Sequence, residues 1–300
     1  MIVADVTPRS LRRQLQGAGL RLRTGPVVAS IRSQLDAVAE GIALHYAGHV
    51  IEEPTSFVDF YVGVDRPRGL RRWIASQVVF RFDGTSSFAP LPGDQGFPML
   101  EWGLNWCVSS HCHQFLIIHA AVLERGGRAL LLPAPSGSGK STLCAALAFS
   151  GWRLLSDELA LLDPVQGNLV ALPRPISLKN QSIDVIRSFA PHAVFGAVVH
   201  ETMKGSVVHV RPPQEAVSRC ADAAIPTWVV SPRFVASVEA RLEPMPKARG
   251  FMTLVDSAFN YDVHGRDGFT ALARLIDQVD CYSFTYGRLE DAVKIFDRWG

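Results

Sequence analysis

The segment that most constrains the fold is a glycine-rich turn, Ala134–Thr142, between an apolar stretch and a helix-like stretch. Its core, Gly139-Lys140-Ser141, fits the end of the phosphate-binding pattern G-x-x-x-x-G-K-[ST], with Ala134 in place of the first glycine. Glycines let successive backbone N–H groups turn toward one anion, and the start of the following helix adds its own amides. The pattern predicts that this loop binds the phosphates of ATP.

The whole loop is a candidate nucleotide-binding segment, consisting of Ala134, Pro135, Ser136, Gly137, Ser138, Gly139, Lys140, Ser141 and Thr142. We expect Lys140 to reach the β- and γ-phosphates and to act in catalysis, and the Ser141 hydroxyl to ligate Mg²⁺. The competing interpretation is a glycine-rich turn that binds nothing. The intact Gly-Lys-Ser core between a strand and a helix favours nucleotide binding.

Two carboxylates, Asp157 and Glu158, lie in a predicted strand, Arg153–Leu162, that follows the loop helix. The strand, loop, helix and return strand form a βαβ-like unit, which should place the return strand beside the first strand and the acids near the γ-phosphate. Side chains alternate on a strand, so only one acid should face the nucleotide, and Asp157 is preferred.

Carboxylates at this place suit two tasks, holding Mg²⁺ and accepting a proton from an attacking hydroxyl. Asp157 is therefore predicted to be a catalytic residue and a metal ligand, and Glu158 is a second catalytic candidate. The alternative is a solvent-exposed acidic pair at the edge of a strand.

Bulk composition narrows the classes of partner. The 300 residues carry a net charge of +2, which gives no reason to expect nucleic acid or an anionic membrane as a partner. Five cysteines without Cys-x-x-Cys spacing indicate reduced thiols. The N-terminus lacks a secretory signal, and no apolar run approaches the ~18 residues that span a bilayer. We expect a cytoplasmic protein, and a homo-oligomer remains open.

Periodicity and turn signals predict an α/β protein, in which residues 1–112 form an N-terminal α+β segment and residues 113–300 form a catalytic domain. The expected elements are a helical pattern at Ile31–Ala47, strands at Phe57–Val64 and at Val78–Phe82, a helix from Pro98 to about His113, a strand at Phe115–Leu123 and a hairpin turn at Glu124–Arg128.

His119, the glycine-rich loop and the run Gly151–Glu158 (Gly-Trp-Arg-Leu-Leu-Ser-Asp-Glu) together resemble the catalytic domain of the HPr kinase/phosphorylase family. The chain is most similar to the HPr-kinase-related kinases, and it also resembles the phosphoenolpyruvate carboxykinases. The resemblance covers roughly His113–Gly205 and implies a P-loop catalytic domain of the HPr-kinase and PEP-carboxykinase type. The family has a second aspartate at the position of Glu158, so the chain differs from the family pattern there.

The resemblance implies that Asp157 takes the proton from a serine hydroxyl and that His119 holds or tunes this carboxylate, with ATP and Mg²⁺ as cofactors. A hydrogen-bonded core histidine is the alternative for His119. The acceptor is expected to be a serine on a peptide or protein, bordered by Pro164–Val210. Two other functions stay open: a kinase for free serine or another metabolite, and a nucleotide-hydrolysing switch or assembly protein in which Glu158 orients water.

Overall fold

A computed structural model describes residues 1–67 and 76–299 of the chain. Its helices are α1 (Pro8–Gln16), α2 (Asp36–His45), α3 (Gly96–His111), α4 (Lys140–Ala148), α5 (Gln181–Phe189), α6 (Gln214–Ser218), α7 (Lys247–Ser257), α8 (Tyr261–Gln278) and α9 (Leu289–Phe296). Single 3₁₀ turns lie at Val3–Asp5, Gly93–Gln95 and Asp297–Trp299. No helix in these two ranges is long and apolar enough to cross a membrane.

The strands form two six-stranded and two three-stranded sheets. They are β1 (Leu20–Thr24), β2 (Val27–Arg32), β3 (Phe60–Asp65), β4 (Gln77–Phe82), β5 (Thr85–Ser86), β6 (Leu91–Pro92), β7 (Leu116–Ile118), β8 (Ala120–Arg125), β9 (Arg128–Pro133), β10 (Arg153–Ser156), β11 (Ala160–Leu162), β12 (Leu169–Val170), β13 (Ile176–Lys179), β14 (Val199–Thr202), β15 (Gly205–Val210), β16 (Ile225–Phe234), β17 (Arg241–Pro244) and β18 (Asp280–Tyr286).

The first sheet has the order β1-β2-β3-β4-β5, with β6 also paired to β4, and α3 packs against it. Leu100, Leu104 and Val108 recur every four residues along α3, so they lie on one face of the helix and are buried. The helix predicted from the pattern at Ile31–Ala47 is confirmed as α2, but it begins only at Asp36, because the chain is still in β2 up to Arg32. Successive residues of β2 are buried on both faces, and a run of that kind carries no helical period.

The second sheet has the order β10-β8-β9-β16-β18-β17. The predicted hairpin turn is confirmed, with Gly126 and Gly127 at φ values of 60° and 80°. The predicted position of the return strand is wrong, because β10 pairs with β8 and not with β9. The hairpin keeps β8 on one edge of β9 and β16 occupies the other edge in parallel register, so only the far edge of β8 is free for β10.

Two predicted continuous strands are each broken in the structure. Phe115–Leu123 divides into β7 and β8 at His119, and Arg153–Leu162 divides into β10 and β11 at 157–159. β8 pairs with β10 in the second sheet, whereas β7 pairs with β11 in a three-stranded sheet. The two segments of the chain therefore cross from one sheet to the other side by side. This crossing places His119 near the acid pair.

Three groups of buried apolar side chains form the core. The group beneath the first sheet draws mostly on the N-terminal third of the chain, but Leu159, Leu161 and Leu172 belong to it as well. The strand pair that carries the acid pair is thus packed against the N-terminal segment. The division at residues 112 and 113 stays a prediction, as does the assignment of the second sheet to the phosphate-loop catalytic folds.

Candidate functional site

The glycine-rich loop leaves the end of β9 and enters α4. Gly137 and Gly139 have φ values of 86° and 90°, a left-handed conformation that glycine adopts without steric cost. Ala134 has no positive φ and is buried, so the backbone there does not demand the glycine of the usual pattern. The departure at Ala134 is therefore compatible with the shape of the loop.

Two later strands hold the loop in place. The Phe234 amide, at the end of β16, donates to the Ser138 carbonyl at 2.8 Å. The Tyr286 hydroxyl, at the end of β18, donates to the Gly139 carbonyl at 3.0 Å. A Cβ at Gly139 would collide with the Tyr286 hydroxyl and with Cβ of Phe234. Close packing as well as backbone conformation thus requires glycine at this position.

The loop exposes its N–H groups at the start of α4. Within residues 1–67 and 76–299, the amides of Gly139, Lys140 and Ser141 have no acceptor. Helix N-termini carry such free donors and a partial positive charge, which together favour a bound anion. Pro135, Ser136 and Gly137 are exposed at the mouth of the loop, and Thr142 is half-buried in the first turn of the helix.

Lys140 is buried, with 7% of its surface exposed, and its ammonium has no hydrogen-bond partner among the described residues. Burial lowers the pKa of Lys140, although the charges of Asp157 and Glu158 act against this shift. A buried ammonium without a hydrogen bond is costly. An anion at the loop would supply the missing acceptor.

Asp157 follows directly after β10 and is 5% exposed. Its Oδ2 accepts from the Ser177 amide at 3.1 Å, whereas Oδ1 has no partner in the described part of the chain. Burial and the neighbouring Glu158 charge raise the pKa of Asp157 to about 6, against the attraction of Lys140. The Ser141 hydroxyl also lowers the pKa of Asp157. The predicted metal ligands Ser141 and Asp157 are therefore neighbours in the structure.

Glu158 lies next to Asp157 in the same bend, so the alternation rule of a strand does not apply and the expectation that only one acid faces the site is wrong. Burial by itself would raise the pKa of Glu158, but the ammonium groups of Lys204, Lys179 and Lys140 outweigh it and hold the pKa below its usual value. The site therefore contains two carboxylates among three lysines.

His119 is half-buried at the break between β7 and β8. Its backbone amide donates to the Ser257 carbonyl at 2.7 Å, and its ring lies 5.7 Å from that of Phe259. Burial and the charge of Lys140 lower the pKa of His119 to about 4, against the attraction of Glu158. The ring is thus a neutral side chain near neutral pH, within electrostatic reach of the predicted catalytic residues.

A buried polar network behind Glu158 was not predicted as part of the site. Asn105 on α3 donates to Glu158 at 2.5 Å and accepts from Arg174 at 2.7 Å. Arg174 in turn donates to the Glu101 carboxylate at 2.7 Å. One signal in the sequence could have indicated it, because Glu101 and Asn105 are four residues apart on an otherwise apolar helix and therefore share a face.

An open cleft of about 500 Å³ lies next to the start of the glycine-rich loop. The start of the loop and His119 border it, and α7 with the following turn forms its far wall. Its lining residues are His119, Pro133, Ala134, Pro135, Ser231, Pro232, Met245, Arg249, Thr253, Asp256, Ser257, Ala258, Phe259 and Ser283. The segment Pro164–Val210, which was expected to border the acceptor, contributes Lys179 and Lys204 around Glu158 but none of the lining of this cleft.

Comparison with protein families finds a match to the family described as SynChlorMet cassette protein ScmC, over residues 99–229, which is less than half of the chain. The predicted HPr-kinase-related family is therefore wrong, since the comparisons point to no phosphate-loop kinase family. That resemblance rested on short motifs, and phosphate-binding chemistry produces similar motifs on unrelated chains. No curated protein matches the chain.

The raised pKa of Asp157 predicts a cost in stability. Between about pH 4 and 6 the folded state keeps a proton on Asp157 that the unfolded chain has lost, so the free energy of unfolding falls as the pH rises through this window. At pH 7 the cost is up to about 3 kcal/mol, from about two pKa units. Asp157→Asn should therefore stabilise the ligand-free protein at pH 7 and change little at pH 4.

Denaturant unfolding of the wild type and the Asp157→Asn variant at both pH values would measure this difference. Asp280→Asn, which alters an exposed aspartate, is the matched control and should leave stability unchanged at either pH. A loss of stability in Asp157→Asn at pH 7 would show that the ionised carboxylate is favourable in the folded protein.

Proposed function

We propose that the chain is an ATP-dependent kinase that transfers the γ-phosphoryl group of ATP to a hydroxyl. The observation that carries this proposal is the buried Lys140 ammonium, which lacks an acceptor and lies at the start of α4 beside unbonded amides. Phosphate oxygens would satisfy both sets of donors at once. The five unpaired cysteines fit the reducing conditions of the cytoplasm, where we place the reaction.

The residues around the loop suit an in-line transfer. The acceptor oxygen forms a bond to the γ-phosphorus while the bond to the β,γ-bridging oxygen breaks, and ADP leaves with the electron pair. Lys140 would stabilise the charge on the phosphates, with Lys179 and Lys204 nearby. The proton of the acceptor hydroxyl would go to Oδ1 of Asp157, the oxygen that has no partner among the described residues.

The side chains near the loop also fit Mg²⁺. Among residues 1–67 and 76–299, no three His, Cys, Asp or Glu side chains form a metal cluster. Mg²⁺ is, however, commonly bound by one or two carboxylates together with substrate phosphates and water. Ser141 and Asp157 would hold it, and the ion would neutralise phosphate charge. One oxygen of Asp157 has no partner among the described residues, and it could either hold Mg²⁺ or accept the proton. The Asp157→Asn variant described below distinguishes these two roles.

The open cleft is the place we propose for the acceptor. His119 is the side chain that both lines the cleft and lies within electrostatic reach of Lys140 and Glu158. A volume of about 500 Å³ is in the range of sites for drug-sized ligands, and free serine would fill a small part of it. Arg249 and Asp256 line it without an ion pair to any described residue.

The surface beyond the cleft supports a polypeptide acceptor. Met252, Phe259, Val263 and Phe269 are exposed on α7, α8 and the turn between them, each with more than half of its surface accessible. Exposed apolar side chains that together form one patch often mark protein contacts. We therefore propose that the acceptor is a serine on a peptide or protein segment, with its neighbours in contact with α7.

Removing the Lys140 ammonium should abolish the activity. Lys140→Ala is expected to bind Mg²⁺-ATP much more weakly and to reduce ATP turnover to the level of a blank, because no other described side chain takes its place in the loop. Calorimetric titration with a non-hydrolysable ATP analogue and a turnover assay would measure both. Lys294→Ala, on the exposed face of α9, is the control. Retained turnover in Lys140→Ala would exclude the proposed function.

Asp157→Asn should keep the shape of the side chain and remove its proton acceptor. If Asp157 acts as the base, Mg²⁺-ATP should bind as in the wild type, while transfer falls by ~10²–10⁴-fold, the usual contribution of general base catalysis. Single-turnover kinetics with labelled ATP would measure it. Weaker binding of Mg²⁺-ATP, with little change in the transfer step, would instead make Asp157 a metal ligand and not the base.

The acceptor class can be tested by competition at constant ATP. Serine-containing peptides, with acidic and basic residues on either side of the serine, should be phosphorylated in preference to free serine and simple alcohols. Arg249→Glu should slow the phosphorylation of peptides that carry acidic residues beside the serine. It should leave ATP hydrolysis, in which water is the acceptor, unchanged. Efficient phosphorylation of free serine without competition by any peptide would replace the peptide acceptor with a metabolite. Release of free phosphate without phosphorylation of any acceptor would favour the alternative of a nucleotide-hydrolysing switch or assembly protein.

A further inference from the structure

Asn105 occupies an unusual place between two charged side chains. It lies on α3, about thirty residues before the loop, yet its amide contacts Glu158 of the acid pair. Nδ2 donates to Oε2 of Glu158 at 2.5 Å, and Oδ1 accepts from Arg174 at 2.7 Å. Because both ends of the amide are engaged, Asn105 is held in one orientation, with its donor toward Glu158.

Arg174 is itself held from the N-terminal side. Its guanidinium donates to the Glu101 carboxylate at 2.7 Å, to the Glu101 carbonyl at 2.8 Å and to the Tyr46 hydroxyl at 3.4 Å. The Tyr46 hydroxyl donates to the other Glu101 oxygen at 2.6 Å. Tyr46, Glu101 and Arg174 are all buried, so the hydrogen bonds among these three side chains are shielded from water and individually strong.

Glu158 needs such a contact because of the charges around it. Three ammonium groups, those of Lys204, Lys179 and Lys140, attract its carboxylate. Among the described residues, Asn105 is the hydrogen-bond donor to this carboxylate. Without Asn105, the flexible glutamate side chain would be free to move onto any of the three lysines.

We propose that Asn105 and Arg174 are positioning residues that fix the Glu158 carboxylate beside Lys140 and His119, so that the N-terminal segment completes the catalytic site. This inference rests on the proposed kinase function for its consequence, but its structural content is the placement of Glu158. Neither Asn105 nor Arg174 lines the acceptor cleft. Both border a smaller cavity that Asp157 and Glu158 also line, and Asn105 contacts Glu158 directly there.

A second contact from α3 points the same way. The ring of Trp102 lies beneath the ammonium of Lys204, with 5.3 Å between Nζ and the ring centroid. Lys204 is the largest of the charges that stabilise ionised Glu158. The same helix thus holds both Glu158, through Asn105, and its chief counter-charge, through Trp102.

The test compares Asn105→Ala with Asn105→Asp. Asparagine and aspartate have nearly the same shape, and aspartate can still accept from Arg174, but it cannot donate to Glu158. If Asn105 positions Glu158, both variants should lose kcat by about 10- to 100-fold, the effect of one hydrogen bond to a charged group, with KM for ATP within about twofold of the wild type. If Asn105 does not position Glu158, Asn105→Ala keeps the wild-type kcat and overturns the proposal, whereas the carboxylate added in Asn105→Asp repels Glu158 in either case.

Ser109→Ala is the matched control, since Ser109 lies one turn further along α3 and its hydroxyl contacts only the Trp106 carbonyl among the described residues. It should leave kcat unchanged. Melting temperatures of all variants would show that a fall in kcat does not reflect unfolding.

Crystal structures of the wild type and both variants make the test independent of turnover. The Glu158 carboxylate is expected to leave its wild-type position in each variant. An unmoved carboxylate overturns the proposal, even if the wild type shows no ATP turnover and the proposed function has failed separately. A displaced carboxylate in a protein that does not turn over ATP supports the positioning role and rejects only the kinase.

Discussion

Burial of opposite charges is the constraint on which the site depends. Lys140 and Asp157 are almost fully enclosed, and each keeps one polar atom without a partner in the described structure. Such atoms weaken a folded protein unless something else binds them. The arrangement lowers the stability of the ligand-free protein but holds these charges in fixed positions, which the proposed phosphoryl transfer would use without a rearrangement first.

The placement of these charges follows from the way two sheets meet. β8 and β10 run together in the second sheet, and their continuations β7 and β11 run together in another. The residues at this crossing lie between two strands and belong to neither. Their side chains therefore do not alternate between the two faces of a sheet. His119, Asp157 and Glu158 all lie at this crossing, and that explains how two adjacent acids both reach the same site.

Local patterns in the sequence were sufficient for the loop, for the β8–β9 turn and for the start of α4. These features depend on neighbouring residues, because glycine at positive φ and a helix N-terminus are decided within a few positions. The breaks at His119 and at Asp157 were not predictable in this way, since Phe115–Leu123 and Arg153–Leu162 contain no glycine or proline and read as single strands. Their division depends on which distant strands pair with each half.

The network behind Glu158 was hidden for a related reason. Arg174 lies between two prolines and reads as a surface loop residue, but it is buried against Glu101 and Tyr46, which are 73 and 128 positions away. Only the packing of α2 and α3 brings them together. Likewise, the family resemblance rested on motifs that the chemistry of phosphate binding dictates, and such motifs are weak evidence of common ancestry.

The contact between the Tyr286 hydroxyl and the Gly139 carbonyl has a consequence for the order of folding. The two residues are 147 positions apart, and β18 joins the sheet only through β16 and β17. Contacts between distant parts of a chain form late, because closing a long loop costs entropy before it gains any contact. The glycine-rich loop can therefore turn early from its own sequence, but it is locked only once β18 has docked. Affinity for the proposed nucleotide should consequently be among the last properties that the folding chain acquires.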